Sequence, residues 1–257
     1  MNPALLYNEM SNNMTLKKKR KESSFFRKLK YWVYNNLKDP DNFSINSKIF
    51  PYVMMENGAI FRTSDDLSTL FDVLQDYSFS DIRKEDYVID IGANIGGFTI
   101  LAAKLSDNII AVEPITIREL KNNIKLNNMN IRIIEGALGD GQWHIITWIR
   151  NSKKIKTFSF TQLKQISGGC DFLKCDCEGF EWFIHPEEIE GIRRIEMEIH
   201  NFNPSKNNPE ELLDYIFKNY NVNIEPEDKT IEEFLDSFDD EVSEVIIIHA
   251  NKKQLKE

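Results

Sequence analysis

Cysteine is scarce in this chain: three in 257 residues, crowded at Cys170, Cys175 and Cys177. A disulfide framework would spread its cysteines, so a reducing, cytoplasmic setting is the expectation. Three thiols at this spacing also fall short of a zinc site and read as core thiols. Eleven glycines and eight prolines exclude a collagenous or low-complexity chain. No apolar run approaches the ~18–20 residues of a membrane span, so no transmembrane segment is expected. The basic run at residues 17–21 lacks the apolar stretch that follows such a run in a secretory signal. What is present, 41% hydrophobic and 28% charged residues, suits a folded chain with a sizeable core.

The net charge of −9 is unevenly spread. Residues 1–38 hold nine Lys/Arg against two Glu, leaving 23 basic and 39 acidic side chains for the rest. An acidic body of that kind presents no broad basic face to a duplex, so membrane-surface or nucleic-acid contact would run through residues 17–38. Residues 23–37 carry Phe25, Phe26, Leu29, Trp32, Val33 and Leu37 on one helical stripe. That stripe docks either on the main domain or, with its basic flanks, on an anionic surface. The expected division is a basic arm with amphipathic helix over 1–48 and one domain over 49–257.

Beyond a hairpin at Asn57-Gly58 and a helix capped near Ser64-Asp65-Asp66, strand and helix patterns alternate from residue 87. Strands are expected at 87–91, 109–112, 131–135, 172–175 and 195–199, with helices at 96–105, 115–128 and 210–219. Two extra strands are expected at 143–149 and 155–160, and a terminal strand pair at 222–224 and 245–248. This pattern predicts an α/β, doubly wound, mostly parallel seven-stranded sheet of Rossmann-like type with an antiparallel C-terminal edge strand.

The most informative segment is Asp90-Ile91-Gly92-Ala93-Asn94-Ile95-Gly96. Gly92 permits a sharp turn and close ligand approach, and Gly96 lets the next helix begin tightly. The spacing is not the G-x-G-x-x-G of a dinucleotide fold. A carboxylate before the first glycine suits a ligand with an ammonium group, such as the methionyl end of S-adenosyl-L-methionine. Glu113, at the tip of the second strand, is placed to accept both ribose hydroxyls or, alternatively, to cap the helix that Pro114 opens. Ala137-Leu138-Gly139 is small and apolar enough to lie along an adenine ring. Asp90, Gly92, Asn94, Gly96, Glu113, Ala137 and Leu138 are therefore the candidate cofactor residues.

Together with Leu173-Lys174-Cys175-Asp176-Cys177-Glu178-Gly179-Phe180-Glu181, these motifs resemble the FkbM family of methyltransferases, over about residues 57–201 and more loosely to the terminal strands. The family uses S-adenosyl-L-methionine and typically O-methylates hydroxyls of sugars and secondary metabolites. The resemblance implies a methyltransferase acting on a small-molecule or glycan acceptor. Cysteines flank Asp176 where the family usually has Ile or Val.

Strands 172–175 and 195–199 each carry a charged row, unusual for central parallel strands. Lys174 and Glu196 are expected to pair in the interior. Asp176, Glu178, Glu198 and His200 lie toward the carboxyl ends, where open α/β sheets bind ligands. Methyl transfer to an alcohol needs alignment and a base. Asp176 is the favoured base, with His200 as rival or relay and Glu178 beside them. A divalent metal on Asp176, Glu178 and His200 is conceivable but not favoured. His144, His185 and His249 read as structural. The alternative function is RNA or other nucleic-acid methylation using the basic arm. A non-catalytic binding module and a nicotinamide-dependent dehydrogenase fit the motifs less well.

Overall fold

The computed structural model describes residues 52–55, 58–62, 68–148, 151–239 and 243–254. The arm and helix expected within 1–48, Asn57 of the hairpin turn and the cap at 64–66 lie outside the described residues. Strands β1 (Tyr52–Met54) and β2 (Ile60–Arg62) pair antiparallel, and α1 (Ser68–Asp76) follows. The alternation then runs β3 (Tyr87–Ile91), α2 (Gly97–Ala102), β4 (Asn108–Glu113), α3 (Ile117–Leu126) and β5 (Arg132–Glu135). A separate three-stranded sheet contains β6 (Ala137–Leu138), β7 (Trp143–Trp148) and β8 (Asn151–Phe158). The remaining order is α4 (Phe160–Ser167), β9 (Phe172–Cys175), β10 (Arg194–His200), α5 (Pro209–Asn219), β11 (Tyr220–Glu225), α6 (Ile231–Asp236) and β12 (Val245–Lys252).

The main sheet has seven strands in the order β11-β12-β10-β9-β3-β4-β5. Neighbours among β3, β4, β5, β9 and β10 are parallel, while β12 runs antiparallel to both β10 and β11. This is the Rossmann-like arrangement the alternation predicts. The reversed strand sits one place in from the edge, because β12 inserts between β10 and β11. The chain progresses outward from β3 to β5 and then returns to lay β9 on the other side of β3. That reversal opens a crevice at the carboxyl ends of β3 and β9, the usual ligand position in such sheets.

Both sheet faces are covered. Ile89, Ile91, Leu173, Cys175, Ile195, Met197 and Ile199 pack into one cluster, and Val88, Phe98 and Phe172 into another on the opposite face. The helix α4 begins at Phe160, where an expected strand ends, and is not itself among the expected helices. Its start is fixed by Ser159, whose side chain accepts from the Gln162 amide while Gln162 returns a bond to the Ser159 amide. Among the described residues no helix is long and apolar enough to cross a membrane.

Candidate functional site

At the switch point the backbone itself forms the floor. Gly92 has φ +76°, and a Cβ there would fall 1.7 Å from the Asp176 carbonyl oxygen. Only glycine lets the β3 and β9 tips come this close, and the Asp176 amide donates to the Ile91 carbonyl at 3.0 Å. Asn94, also left-handed at φ 49°, donates its amide to Glu113 Oε2 at 2.8 Å. The other Glu113 oxygen accepts the Ile115 and Thr116 amides at 2.6 and 2.8 Å. The carboxylate thus caps the loop before α3, as the structural alternative held. Oε2, with one amide partner, keeps acceptor capacity for a ligand hydroxyl.

These tips border a cavity of about 1250 Å³. Gly92, Asn94, Glu113, Ala137 and Leu138 line one part of it; Asp176, Glu178, Phe180, Phe202 and Pro204 line another. The volume exceeds the roughly 300–1,000 Å³ of ordinary small-molecule pockets. His144, which the sequence reading treats as structural, also lines the cavity and bonds Asp140 at 2.7 Å.

Beneath the cavity a polar row crosses four strands: Asp90, Lys174, Glu196 and His249 are successive register partners. Lys174 and Glu196 stand side by side but do not pair as expected, because each has other partners. The Lys174 ammonium lies 3.4 Å from Asp90 Oδ1 and 3.6 Å from Asp176 Oδ2, and it donates to the Gly92 carbonyl at 3.0 Å. Glu196 pairs with Arg194 and, at 2.6 Å, with His249. Burial disfavours the Lys174 charge, but Asp90 and Asp176 outweigh it and hold its pKa above the usual lysine value. Asp90 is fully buried and its second oxygen takes the Thr99 hydroxyl. Burial raises its pKa despite Lys174 and Thr99.

Nearer the mouth, Glu198 and His200 of β10 approach Asp176. The His200 ring is 3.1 Å from Glu181 Oε1 through Nδ1, while Nε2 is 3.5 Å from Glu178 Oε2 and 3.6 Å from Glu198 Oε1. Burial opposes the imidazolium, but Glu181, Glu198 and Glu178 push its pKa up to about 9. Burial and then the Asp176 charge raise Glu198 to about 7, with His200 and Lys174 acting the other way. Tyr77 donates its hydroxyl to Glu198 Oε2 at 3.3 Å. Burial and these carboxylates keep the phenol protonated.

The structure therefore brings Gly92, Asn94, Glu113, Ala137, Leu138, Asp176 and Glu178 around one cavity. Asp90 and Gly96 do not line it. Asp90 is closed off by Lys174 and Thr99, which corrects the expectation that its carboxylate meets an ammonium group directly. Gly96, at φ +93°, gives space to Leu120, whose Cδ1 lies 2.8 Å from where a Cβ would stand. His200 is also outside the lining, and its raised pKa leaves it protonated near neutrality, so it is a poor general base. Sequence reasoning missed Tyr77, Phe202 and the role of Glu181. Glu181 stands within the quoted motif, four residues from Cys177, yet nothing in its spacing announced that it would accept the His200 amide at 2.6 Å.

No protein-family model matches the chain, and no curated protein matches it. Among solved structures it is similar to the M. jannaschii tRNA m1G37 methyltransferase, with 14% identity over 81% of this chain and a TM-score of 0.45. The chain spans 59% of that protein's length. It is similar to the Methanococcus jannaschii fibrillarin pre-rRNA processing protein, with 12% identity, 83% of this chain, 88% of that one and a TM-score of 0.45. For the methyltransferase FkbM of Methylobacillus flagellatus the values are 17% identity, 55% of this chain, 40% of that one and a TM-score of 0.39.

Proposed function

We propose that this chain is an S-adenosyl-L-methionine-dependent methyltransferase that O-methylates a hydroxyl on a sugar, glycan or other small metabolite. The observation that carries the reading is the pairing, in one cavity, of the glycine bend at Gly92 with the Glu113 carboxylate at the next strand tip. The residues fit the donor: Glu113 Oε2 has acceptor capacity for ribose, Gly92 and Asn94 border the cavity beside it where an amino-acid end would lie, and Ala137 and Leu138 offer an apolar wall. Bound there, the donor supplies an electrophilic methyl group on sulfur.

The protein's part is to orient and to take a proton. Asp176 lines the cavity beside Gly92 and is partly exposed, so it can meet an acceptor hydroxyl. Asp176 would accept the hydroxyl proton as the acceptor oxygen is methylated by a donor held at Gly92, Asn94 and Glu113. Phe180 and Phe202 flank the acceptor part, and Phe202 is 59% exposed, a platform for the face of a sugar ring.

Calorimetry tests the donor part. The chain should bind S-adenosyl-L-methionine, and Glu113→Ala should weaken binding at least tenfold. An unchanged affinity in that variant, or no binding by the parent, would end the reading. Incubating a cell extract with the protein and isotopically labelled donor, followed by mass spectrometry, identifies the acceptor.

A further inference from the structure

From the arrangement of Asp176, Glu198 and His200 we infer a divalent-cation site at the acceptor side of the cavity, suited to a metal of the Mn²⁺ class. One ligand atom from each residue can be chosen so that all three lie within 4.8 Å of one another. A metal with bonds of ~2.0–2.2 Å sets its ligand atoms up to ~4.4 Å apart, so small side-chain rotations close the set. Sequence reasoning named Glu178 in place of Glu198. The geometry prefers Glu198, which projects from the rigid β10, whereas the Glu178 side chain is 59% exposed and leaves the strand at φ 58°.

A second, independent observation is the way His200 is held. Its side chain is 6% exposed, and its Nδ1 faces Glu181, itself fully buried. Glu181 already accepts the Gly179 amide at 2.9 Å and the His200 amide at 2.6 Å. A carboxylate so placed keeps the proton on Nδ1 and turns Nε2 toward the cluster, the supporting pattern found behind metal-bound histidines. Nε2 lies at ion-pair distance from two carboxylates, 3.5 Å from Glu178 Oε2 and 3.6 Å from Glu198 Oε1. Near neutrality Nε2 carries a proton that sits among these carboxylates, and a divalent cation can take that proton's place. One imidazole with two carboxylates suits Mn²⁺ better than a soft metal. Asp176 lines the cavity, so the remaining coordination positions face the space left for an acceptor. Binding of the ion stands on this geometry alone; its use, to hold and acidify an acceptor hydroxyl, rests on the methyltransferase reading.

The test titrates Mn²⁺ into the full chain, following the free-ion electron paramagnetic resonance signal and the heat of binding. One ion per chain is expected. Glu198→Gln and Asp176→Asn should each weaken it at least tenfold, Glu181→Gln should weaken it roughly tenfold, and Asp107→Asn, a distant surface change, should leave it unaltered. In the parent protein, pulsed resonance should show a ¹⁴N coupling from a directly bound imidazole, a readout that needs no variant to fold. Lack of stoichiometric binding, lack of that coupling, or affinity unchanged in both ligand variants would overturn the site. S-adenosyl-L-methionine binding measured without metal separates the two ideas. If the donor binds and Mn²⁺ does not, the metal site alone falls; if Mn²⁺ binds and the donor does not, the methyltransferase reading alone falls.

Discussion

The two halves of the cavity are built from different materials. The part around Gly92 and Glu113 is made of backbone: a left-handed glycine, a left-handed asparagine and amides gathered on one carboxylate. The part around Asp176 is made of side chains, backed from outside the lining by Glu198 and His200, whose charges hold one another in place. The first is rigid and set by sterics; the second is set by protonation. Lys174 belongs to both, since its ammonium touches the Gly92 carbonyl as well as Asp90 and Asp176.

The largest effect should come from breaking that joint. Lys174→Met leaves Asp90 buried without its cation and should cost about 3–5 kcal/mol in urea unfolding. Adding Asp90→Asn should recover most of the loss, because a pair removed together leaves no uncompensated charge. A double variant as unstable as the single would mean that Lys174 acts through packing. Next comes the steric half: Gly92→Ala combines a backbone clash with an unfavourable left-handed conformation and should lose ~2–4 kcal/mol. Parent-like stability there would show that the β3 and β9 tips can separate.

The smallest effect sharpens the electrostatic half. Burial, then Asp72, Glu225 and Asp176, raise the Asp76 carboxyl to about 7, against a lowering by His249. The folded chain therefore favours its neutral form, and the stability this contributes is lost as pH rises from the ordinary carboxylate range through about 7. Asp76→Asn should raise the thermal midpoint at pH 8 by ~2–4 °C, equivalent to ~1 kcal/mol, with little change near pH 4. An equal gain at both values would rule out titration as the cause.

The backbone half was largely legible in the sequence. A glycine after a buried strand and an acid at the next strand tip have local signatures, so Gly92, Asn94 and Glu113 meet where the spacing predicts. The sheet was legible for the same reason, since apolar runs alternate with helical stripes; α4 was overlooked although Ser159 and Gln162 spell a capping box. The side-chain half was read only in part. Alternation put Glu196, Glu198 and His200 on one face of β10, but partner choice depends on register. Lys174 met Asp90 and not Glu196, because β3 supplies a carboxylate at the same level and Arg194 and His249 already engage Glu196. Glu181 could not be assigned from spacing, since its contact with His200 is made across a turn into β10.

The close passage of Gly92 against the Asp176 carbonyl has a practical consequence for anyone wishing to retarget the protein. With the two strand tips locked at that distance, the floor of the crevice behaves as one inflexible block, and edits to it would disturb both parts of the cavity together. The adjustable walls are elsewhere, at Phe180, Phe202 and Pro204. Under the proposed methyltransferase function, libraries confined to those three positions should shift which acceptor is taken while leaving the grip on the donor intact.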